Sequence, residues 1–168
     1  RPLTPAVNHE PQFAGTTSKD KRDAITAELA KLKADAVVLT APESICWLLN
    51  LRGGDVPNTP LTLCFAVLTI DGVVHLFIDD RKFTATTRQS FGNQIQIKAP
   101  DQLGPMLDSL GKAGHIILLD SKSAPSWVFD RLKASGADII KGDDPCTLPK
   151  SCKNETELAG TREAHIRD

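Results

Sequence analysis

Two apolar segments that flank Asp71-Gly72 constrain the fold of this chain more than any other feature. Residues 61–70 and residues 73–78 are both rich in apolar and β-branched side chains. An Asp-Gly dipeptide between two such segments is a strong signal for a hairpin with a two-residue turn. The sequence therefore predicts an antiparallel pair of strands, which excludes an all-helical fold and a purely parallel sheet.

Further short apolar runs alternate with segments of helical period along most of the chain. The predicted strands are residues 35–40, 61–70, 73–78, 94–98, 115–119 and 137–141. The predicted helices are residues 19–33, 42–51, 101–110 and 123–135, with Ser18 and Asp101 as caps and with Trp127, Val128 and Leu132 facing inward. Strand–helix–strand units favour parallel pairing. We therefore predict an α/β domain with a mixed sheet of about six strands and helices on both faces.

The two ends of the chain differ in composition from its middle. Residues 1–17 carry three prolines and little periodicity, so they are interpreted as a linker or extended arm outside the core. Residues 18–149 form the predicted domain. Residues 150–168 contain a highly charged segment with few apolar side chains, which is typical of a helix that needs a partner from elsewhere.

Charge, apolar run length and cysteine content restrict what kind of protein this chain can be. The chain has 20 basic and 21 acidic residues and no basic stripe, so nucleic acid is not expected as a ligand. No apolar run approaches the roughly 18 residues that a membrane span needs. The four cysteines are expected to be free thiols of a cytoplasmic protein, with a Cys146–Cys152 disulfide as the alternative.

The segment from Pro42 to Pro60 is the most unusual part of the sequence. It predicts a short buried helix around Trp47, with Arg52 in the last turn and Gly53 in the left-handed conformation that ends it. Two interpretations of its polar residues remain open. The charges are paired or solvated in a plain turn, or a rigid polar edge faces another domain or a ligand. The candidate residues for the second interpretation are Asn50, Arg52 and Asp55.

Three aspartates at predicted strand ends offer a different chemistry. Asp79, Asp80 and Asp120 follow strands at the edge where open α/β sheets bind ligands. Grouped carboxylates hold Mg²⁺ in phosphohydrolases and nucleases. The same residues are also ordinary helix caps, which is the interpretation we favour.

The segment around Trp47 also resembles a known family. The run Ser44-Ile45-Cys46-Trp47-Leu48-Leu49-Asn50-Leu51-Arg52-Gly53, followed by Asp55-Val56-Pro57 and Pro60, is similar to the middle domain of three-domain Xaa-Pro aminopeptidase (aminopeptidase P), a metallopeptidase. Two further segments match. Leu76-Phe77-Ile78-Asp79 with Lys82 resembles the same middle domain, and Lys153-Asn154, Glu157, Gly160, Arg162, Ala164-His165-Ile166 and Asp168 resemble the first helix of the catalytic domain.

The resemblance implies a creatinase/prolidase N-terminal-type, ribonuclease-H-like fold without catalytic residues. In the family, two divalent metal ions, usually Mn²⁺, activate water in a C-terminal pita-bread domain that removes the residue before a penultimate proline. The resemblance implies that this chain stops before those ligands, so no metal or catalytic residue is assigned to it. The implied partners are the enzyme's own N-terminal and C-terminal domains, a second copy of the chain and a proline-containing peptide.

Overall fold

The computed structural model describes residues 2–167, so Arg1 and Asp168, which belong to the predicted arm and terminal segment, lie outside the described residues. Eight strands occur within this range. They are β1 (Val7–Asn8), β2 (Ala36–Leu39), β3 (Leu51–Arg52), β4 (Phe65–Thr69), β5 (Val74–Phe77), β6 (Ile95–Lys98), β7 (Ile116–Leu119) and β8 (Asp138–Lys141). The α-helices of the same range are α1 (Pro11–Ala14), α2 (Ser18–Leu32), α3 (Pro42–Leu49), α4 (Ala85–Ser90), α5 (Leu103–Lys112), α6 (Ser126–Ser135), α7 (Thr147–Ser151) and α8 (Glu155–Arg167).

Six of the strands form one mixed sheet in the order β6-β5-β4-β2-β7-β8. Strand β4 is antiparallel to both of its neighbours, β5 and β2. The outer pairs β5–β6, β2–β7 and β7–β8 are parallel. The predicted mixed sheet of six strands is therefore confirmed, and β6 lies at an edge as its alternating pattern indicates.

The hairpin between β4 and β5 forms around Asp71 and Gly72 with a longer turn than predicted. The Thr69 N–H donates to Val73 O at 3.0 Å, which leaves Ile70, Asp71 and Gly72 in the loop. Gly72 takes a left-handed conformation with φ of 83°. A three-residue loop that ends in a left-handed residue is the common alternative to the two-residue turn. The Asp71 carboxylate stabilises it by accepting from the Thr69 hydroxyl and from the Val73 N–H.

Helices cover both faces of the sheet, as predicted, and each face has its own core. On one face, Ile25 and Leu29 of α2 and Ile45 and Leu48 of α3 pack in a cluster with alternate sheet residues. On the other face, α5 and α6 pack against the remaining sheet residues. Alternate strand residues point to opposite faces, so the apolar runs of the central strands supply both cores.

The prediction that residues 1–17 lie outside the core is wrong for the described part of that segment. Ala6 and Ala14 are completely buried. Strand β1 pairs with β3 in a separate two-stranded sheet, with Val7 opposite Arg52. The segment packs on the domain because its backbone finds hydrogen-bond partners, including Lys82 O for the Ala6 N–H. Two-residue strands carry no detectable period, so the sequence pattern does not show them.

Three local predictions also differ from the structure. Thr17, and not Ser18, caps α2, because its hydroxyl accepts from the Asp20 N–H. Asp101 lies in a 3-10 turn (Pro100–Gln102) before α5, which has no side-chain cap. Trp127 is 48% exposed and packs against the Arg131 guanidinium, whereas Val128 and Leu132 are buried as predicted. Val128 and Leu132 are four residues apart, so they lie on the same buried face of α6, and Trp127 lies beside that face.

The last part of the chain ends in a helix that contributes nothing to the core. Asn154 caps α8 reciprocally with Glu157: each backbone N–H donates to the other residue's side chain, at 3.0 and 2.9 Å. Asn154 also donates from Nδ2 to Ala14 O at 2.8 Å. None of the described α8 residues is buried, and Ile166 is 84% exposed.

The four cysteines are free, and Cys146 is buried while Cys152 is exposed.

Candidate functional site

Asn50 ends α3 and redirects the chain into the segment that carries Arg52 and Asp55. Its φ and ψ are 51° and 48°, and its N–H donates to Cys46 O and Trp47 O. Asparagine adopts this left-handed conformation more readily than most residues with a side chain. The prediction that Gly53 ends the helix and that Arg52 lies in its last turn is therefore wrong. Helix α3 ends at Leu49, and Arg52 lies in β3.

A buried lysine of α2 holds this helix end in place. Lys21 Nζ donates to Asn50 Oδ1 at 2.7 Å and to Trp47 O at 3.0 Å, and it lies 4.7 Å from the centroid of the Trp47 ring. Asn50 in turn donates from Nδ2 to Thr16 O at 2.8 Å. A positive charge suits the carbonyl end of a helix, although burial lowers the pKa of Lys21 to about 8. The network ties α2, α3 and the first residues of the chain together.

Arg52 is half-buried at the edge of a small pocket. Its Nη1 donates to Leu51 O at 2.9 Å, and burial lowers the pKa of its guanidinium. The pocket has a volume of about 220 Å³, and Glu157 of α8 and Glu43 of α3 line it together with Arg52. A planar guanidinium beside a pocket can bind a carboxylate with two parallel hydrogen bonds. Arg52 is thus partly accessible at the edge of this pocket.

Asp55 has the opposite environment, because its side chain is inside the domain. Its Oδ2 accepts from Lys82 Nζ, from the Leu63 N–H at 2.7 Å and from the Thr62 hydroxyl at 3.2 Å. The exposed fractions of the Lys82 and Asp55 side chains are 2% and 0%. Burial by itself raises the pKa of Asp55, but the hydrogen bonds from Lys82 and Leu63 outweigh it, and the pKa is lower than its usual value.

The three candidate residues therefore have three different environments. Arg52 lies at a pocket edge, the Asp55 side chain is fully enclosed, and Asn50, which is 7% exposed, lines a different cavity. A rigid polar edge that faces another domain implies the expectation that all three residues contribute little to the stability of this domain. That expectation does not fit the buried contacts of Asn50 and Asp55, since breaking a buried hydrogen-bonded pair is costly. For Arg52 that expectation remains a prediction.

The aspartates that suggested a phosphohydrolase or nuclease each have an ordinary structural partner. Asp79 caps the 3-10 turn Asp80–Lys82 and pairs with Arg81, and Asp80 pairs with Arg88. Asp120 accepts from the Lys122 N–H and from the Ser123 hydroxyl. Strands β5 and β7 are three positions apart in the sheet, which is roughly 14 Å at about 4.8 Å for each spacing. One Mg²⁺ cannot bind carboxylates so far apart, and this alternative is not supported.

Several residues that build the site have weak signals in the sequence. Lys21 and Lys82 look like solvated lysines, because nothing local distinguishes a buried ammonium group from an exposed one. Asn154 and Glu157 have the spacing of a capping box, and that pattern could have located the start of α8.

Residues 2–167 contain no group of three or more His, Cys, Asp or Glu side chains that could hold a metal ion. The described residues therefore do not fit a two-metal centre. Over the same range, no helix is both long enough and apolar enough to cross a membrane.

Comparison with known proteins identifies relatives of nearly the whole chain. Xaa-Pro aminopeptidase 1 of Dictyostelium discoideum is 33% identical over 159 residues, which are 95% of this chain and 25% of that protein. The probable Xaa-Pro aminopeptidase P of Laccaria bicolor is 32% identical over 174 residues, covering 100% of this chain and 26% of that protein. The chain thus spans about a quarter of the length of these curated relatives.

Solved structures show the same fold. The X-prolyl aminopeptidase of Caenorhabditis elegans, described as a cytosolic enzyme with a di-nuclear active site, superposes with a TM-score of 0.87 at 24% identity over 97% of this chain and 27% of that one. The Xaa-Pro dipeptidase of Bacillus anthracis superposes with a TM-score of 0.65 at 14% identity over 85% of this chain and 38% of that one.

The mixed sheet with two helix layers is thus the α/β domain shared by X-prolyl aminopeptidases and prolidases. The family model for the creatinase/prolidase N-terminal domain matches residues 1–157. The chain belongs to this family, and the fold expected from the sequence resemblance is confirmed.

Proposed function

We propose that this chain is a non-catalytic accessory domain of an Xaa-Pro aminopeptidase, an enzyme that removes the N-terminal residue from peptides with proline in the second position. Relatives named for this activity match 95–100% of the chain, while the matched part is only 25–29% of their own length. In this proposal the domain borders the active site, and the chemistry belongs to another domain of the same protein.

The observation that carries the proposal is the unpartnered surface of α8. The helix is tied to this domain at its N-terminal end, by Asn154 and its bond to Ala14 O. Beyond that point Leu158 is 40% exposed and Ile166 is 84% exposed. A helix that buries no side chain gains little stability from its own domain. Contact with a following domain would cover these apolar side chains.

Arg52 adds a second point of contact to the proposal. It shares the 220 Å³ pocket with Glu157, the residue that completes the cap of α8. A domain that packs on α8 therefore passes close to the Arg52 guanidinium. In the assembled enzyme Arg52 is proposed to bind a carboxylate of the adjoining domain or of the peptide.

The remaining parts of the proposal concern cofactor, location and assembly. Two divalent metal ions, Mn²⁺ by family resemblance, would bind in the catalytic domain and activate the attacking water there. The cytoplasm is the proposed location, in line with the description of the Caenorhabditis elegans enzyme as cytosolic. A second copy of the chain is a further proposed partner, and sedimentation of the purified chain measures that directly.

A peptidase assay on the isolated chain and on the full-length gene product tests the proposal. The 168-residue chain with Mn²⁺ should release no amino acid from an Xaa-Pro peptide, and the full-length gene product should release the first residue. A mock purification from the same host is the control for contaminating peptidases. Release by the chain alone, above that control, would show that the catalytic group is here and would refute the accessory role. A full-length product inactive on Xaa-Pro peptides would refute the substrate assignment.

A further inference from the structure

A cavity of about 330 Å³ lies between the start of α2 and the segment that follows β1. Ser18 and Arg22 of α2 line it, together with His9. It is separate from the Arg52 pocket and from the exposed surface of α8. Nothing in the proposed aminopeptidase function uses it.

Arg22 gives the cavity a buried positive charge that forms no ion pair with any of residues 2–167. The residue is 7% exposed, and its Nη1 donates to Gly72 O. Its Nε is buried without a hydrogen-bond partner among residues 2–167. The nearest acidic group in sequence, Asp23, pairs instead with Lys19. The charge of Asp23 favours the charged form of Arg22, but burial outweighs it and lowers the pKa of the guanidinium. Burying a charged group without a paired counter-charge is costly, so an anion in the cavity would reduce the free-energy cost of burying Arg22.

The first turn of α2 supplies further hydrogen-bond donors. The Thr17 hydroxyl accepts from the Asp20 N–H, so the cap satisfies that donor. The N–H groups of Ser18 and Lys19 belong to the first turn, where the helix itself offers no acceptor. The Ser18 hydroxyl is also buried without a partner in the described part of the chain. The start of a 15-residue helix with free N–H groups attracts negative charge.

The apolar residues of the lining determine what the rest of the ligand is. Leu49, Phe91 and Ile95 are buried residues that line the cavity. One acidic residue, Glu10, also lines it, but its side chain is exposed and accepts from Gln12 Nε2 at 2.7 Å. The cavity thus combines a cationic, donor-rich side with an apolar side.

We propose that this cavity binds a small molecule that carries one carboxylate or phosphate group on a compact apolar body. The anionic group lies against Arg22, Ser18 and the first N–H groups of α2. The apolar body lies against Leu49, Phe91 and Ile95. The proposal does not depend on the aminopeptidase assignment, because it uses only residues of this domain.

Titration calorimetry on the 168-residue chain at neutral pH and low salt tests the proposal with four probes. These are 3-phenylpropionate, phenyl phosphate, inorganic phosphate and the neutral 3-phenylpropionamide. At least one of the two apolar anions should bind at least about tenfold more tightly than the amide, because a hydrogen bond to a charged group contributes about 1.5–3 kcal/mol. The tighter of the two shows whether carboxylate or phosphate is preferred. Inorganic phosphate should bind more weakly, since it leaves the apolar wall uncovered.

Variants locate the binding. Arg22→Gln should weaken binding of the preferred anion about tenfold or more, whereas Arg81→Gln, at an exposed arginine paired with Asp79, should leave it unchanged. Because Arg22→Gln also removes the bond to Gly72 O, Ser18→Ala serves as a second variant that breaks no internal hydrogen bond. It should weaken binding about threefold or more.

In NMR spectra, adding the preferred anion should change the backbone amide chemical shifts most at Ser18 and Lys19. Four results would each overturn the proposal: no binding of either apolar anion at 10 mM, equal affinity for the amide, unchanged affinity in both Arg22→Gln and Ser18→Ala, or shifts confined to another surface. Equal affinity for inorganic phosphate would refute the part that concerns the apolar body.

Discussion

Lys82 Nζ and Asp55 Oδ2 form an ion pair in which both side chains are almost completely removed from solvent, with exposed fractions of 2% and 0%. The pair joins the loop after β3 to the 3-10 turn after β5, and Thr62 contacts both members. One carboxylate oxygen, Asp55 Oδ1, is buried without a partner among the described residues. The loop that follows Arg52 is thus held from inside the domain.

The first prediction concerns removal of one member of this pair. Lys82→Met leaves the Asp55 carboxylate buried without its counter-charge, and we expect the free energy of unfolding to fall by about 3–5 kcal/mol. Urea denaturation followed by circular dichroism measures it. The control is Lys31→Met, at a lysine whose pair with Glu28 is exposed, with an expected change within about 0.5 kcal/mol. A similar small loss in Lys82→Met would mean that the pair contributes nothing.

The second prediction is the pH dependence of the same contact. The pKa of Asp55 is lower in the folded chain than its ordinary value of 3.8. A carboxyl group of this kind adds stability above its unfolded pKa, and this stability is lost as the pH falls through the folded pKa. The folded chain should therefore lose stability below about pH 4, and part of that loss should be absent in Asp55→Asn.

Denaturant midpoints between pH 2 and pH 7 measure this acid dependence. Asp79→Asn is the matched control, because the pKa of Asp79 is held at about 2 by hydrogen bonds from Arg81 on the surface. Solvent screens that contact, so the variant should follow the wild-type curve closely. The assignment to Asp55 is wrong if Asp55→Asn keeps the full acid dependence.

The elements that could be predicted from the sequence are those with a local signal. Such a signal depends only on neighbours a few residues away. It is present at the Asp71-Gly72 turn, in the buried runs of β2 and β7, and at the glycine that ends α6. Gly136 is an example, since its φ of 97° is the left-handed conformation expected at a helix end. The family resemblance of the Trp47 segment is local in the same sense.

The features that could not be predicted depend on contacts between distant residues. Val7 pairs with Arg52 across two-residue strands, and Lys82 reaches Asp55 over a separation of 27 residues. The polar pattern around Asn50, Arg52 and Asp55 correctly marks an unusual segment. It does not distinguish the enclosed carboxylate from the accessible guanidinium, because both occur in the same stretch of loop-forming residues.

The third prediction is that Arg52→Ala has little effect on the domain alone. The Arg52 side chain donates a hydrogen bond to the carbonyl of its neighbour Leu51. The change in the free energy of unfolding should therefore be roughly 0–0.5 kcal/mol. In the full-length gene product the same change should weaken peptide hydrolysis or assembly. A loss of about 2 kcal/mol or more in the domain, or unchanged kinetics and oligomeric state in the full-length product, would contradict this role.

The fourth prediction is that α8 opens far more readily than the sheet. Its described residues bury no side chain. Asn154 anchors the start of α8, because its side chain accepts from the Glu157 N–H and donates to Ala14 O. Amide protection depends on the free energy of local opening, which is small for a helix without core contacts. Hydrogen exchange measured by mass spectrometry should therefore be fast in α8, most of all towards Arg167, and slow in β7, whose Ile117 and Leu119 are fully buried.

Asn154→Ala extends this test to the anchor itself. The substitution removes the acceptor for the Glu157 N–H and the donor to Ala14 O, so exchange should become faster in α8 and in α1, with β7 unchanged. Docking on another domain would reverse the pattern: in the full-length gene product α8 should be protected, because Leu158 and Ile166 then leave solvent. If α8 in the isolated chain is as protected as β7, it packs on this domain or on a second copy of it. The unpartnered helix surface that supports the accessory role would then be lost.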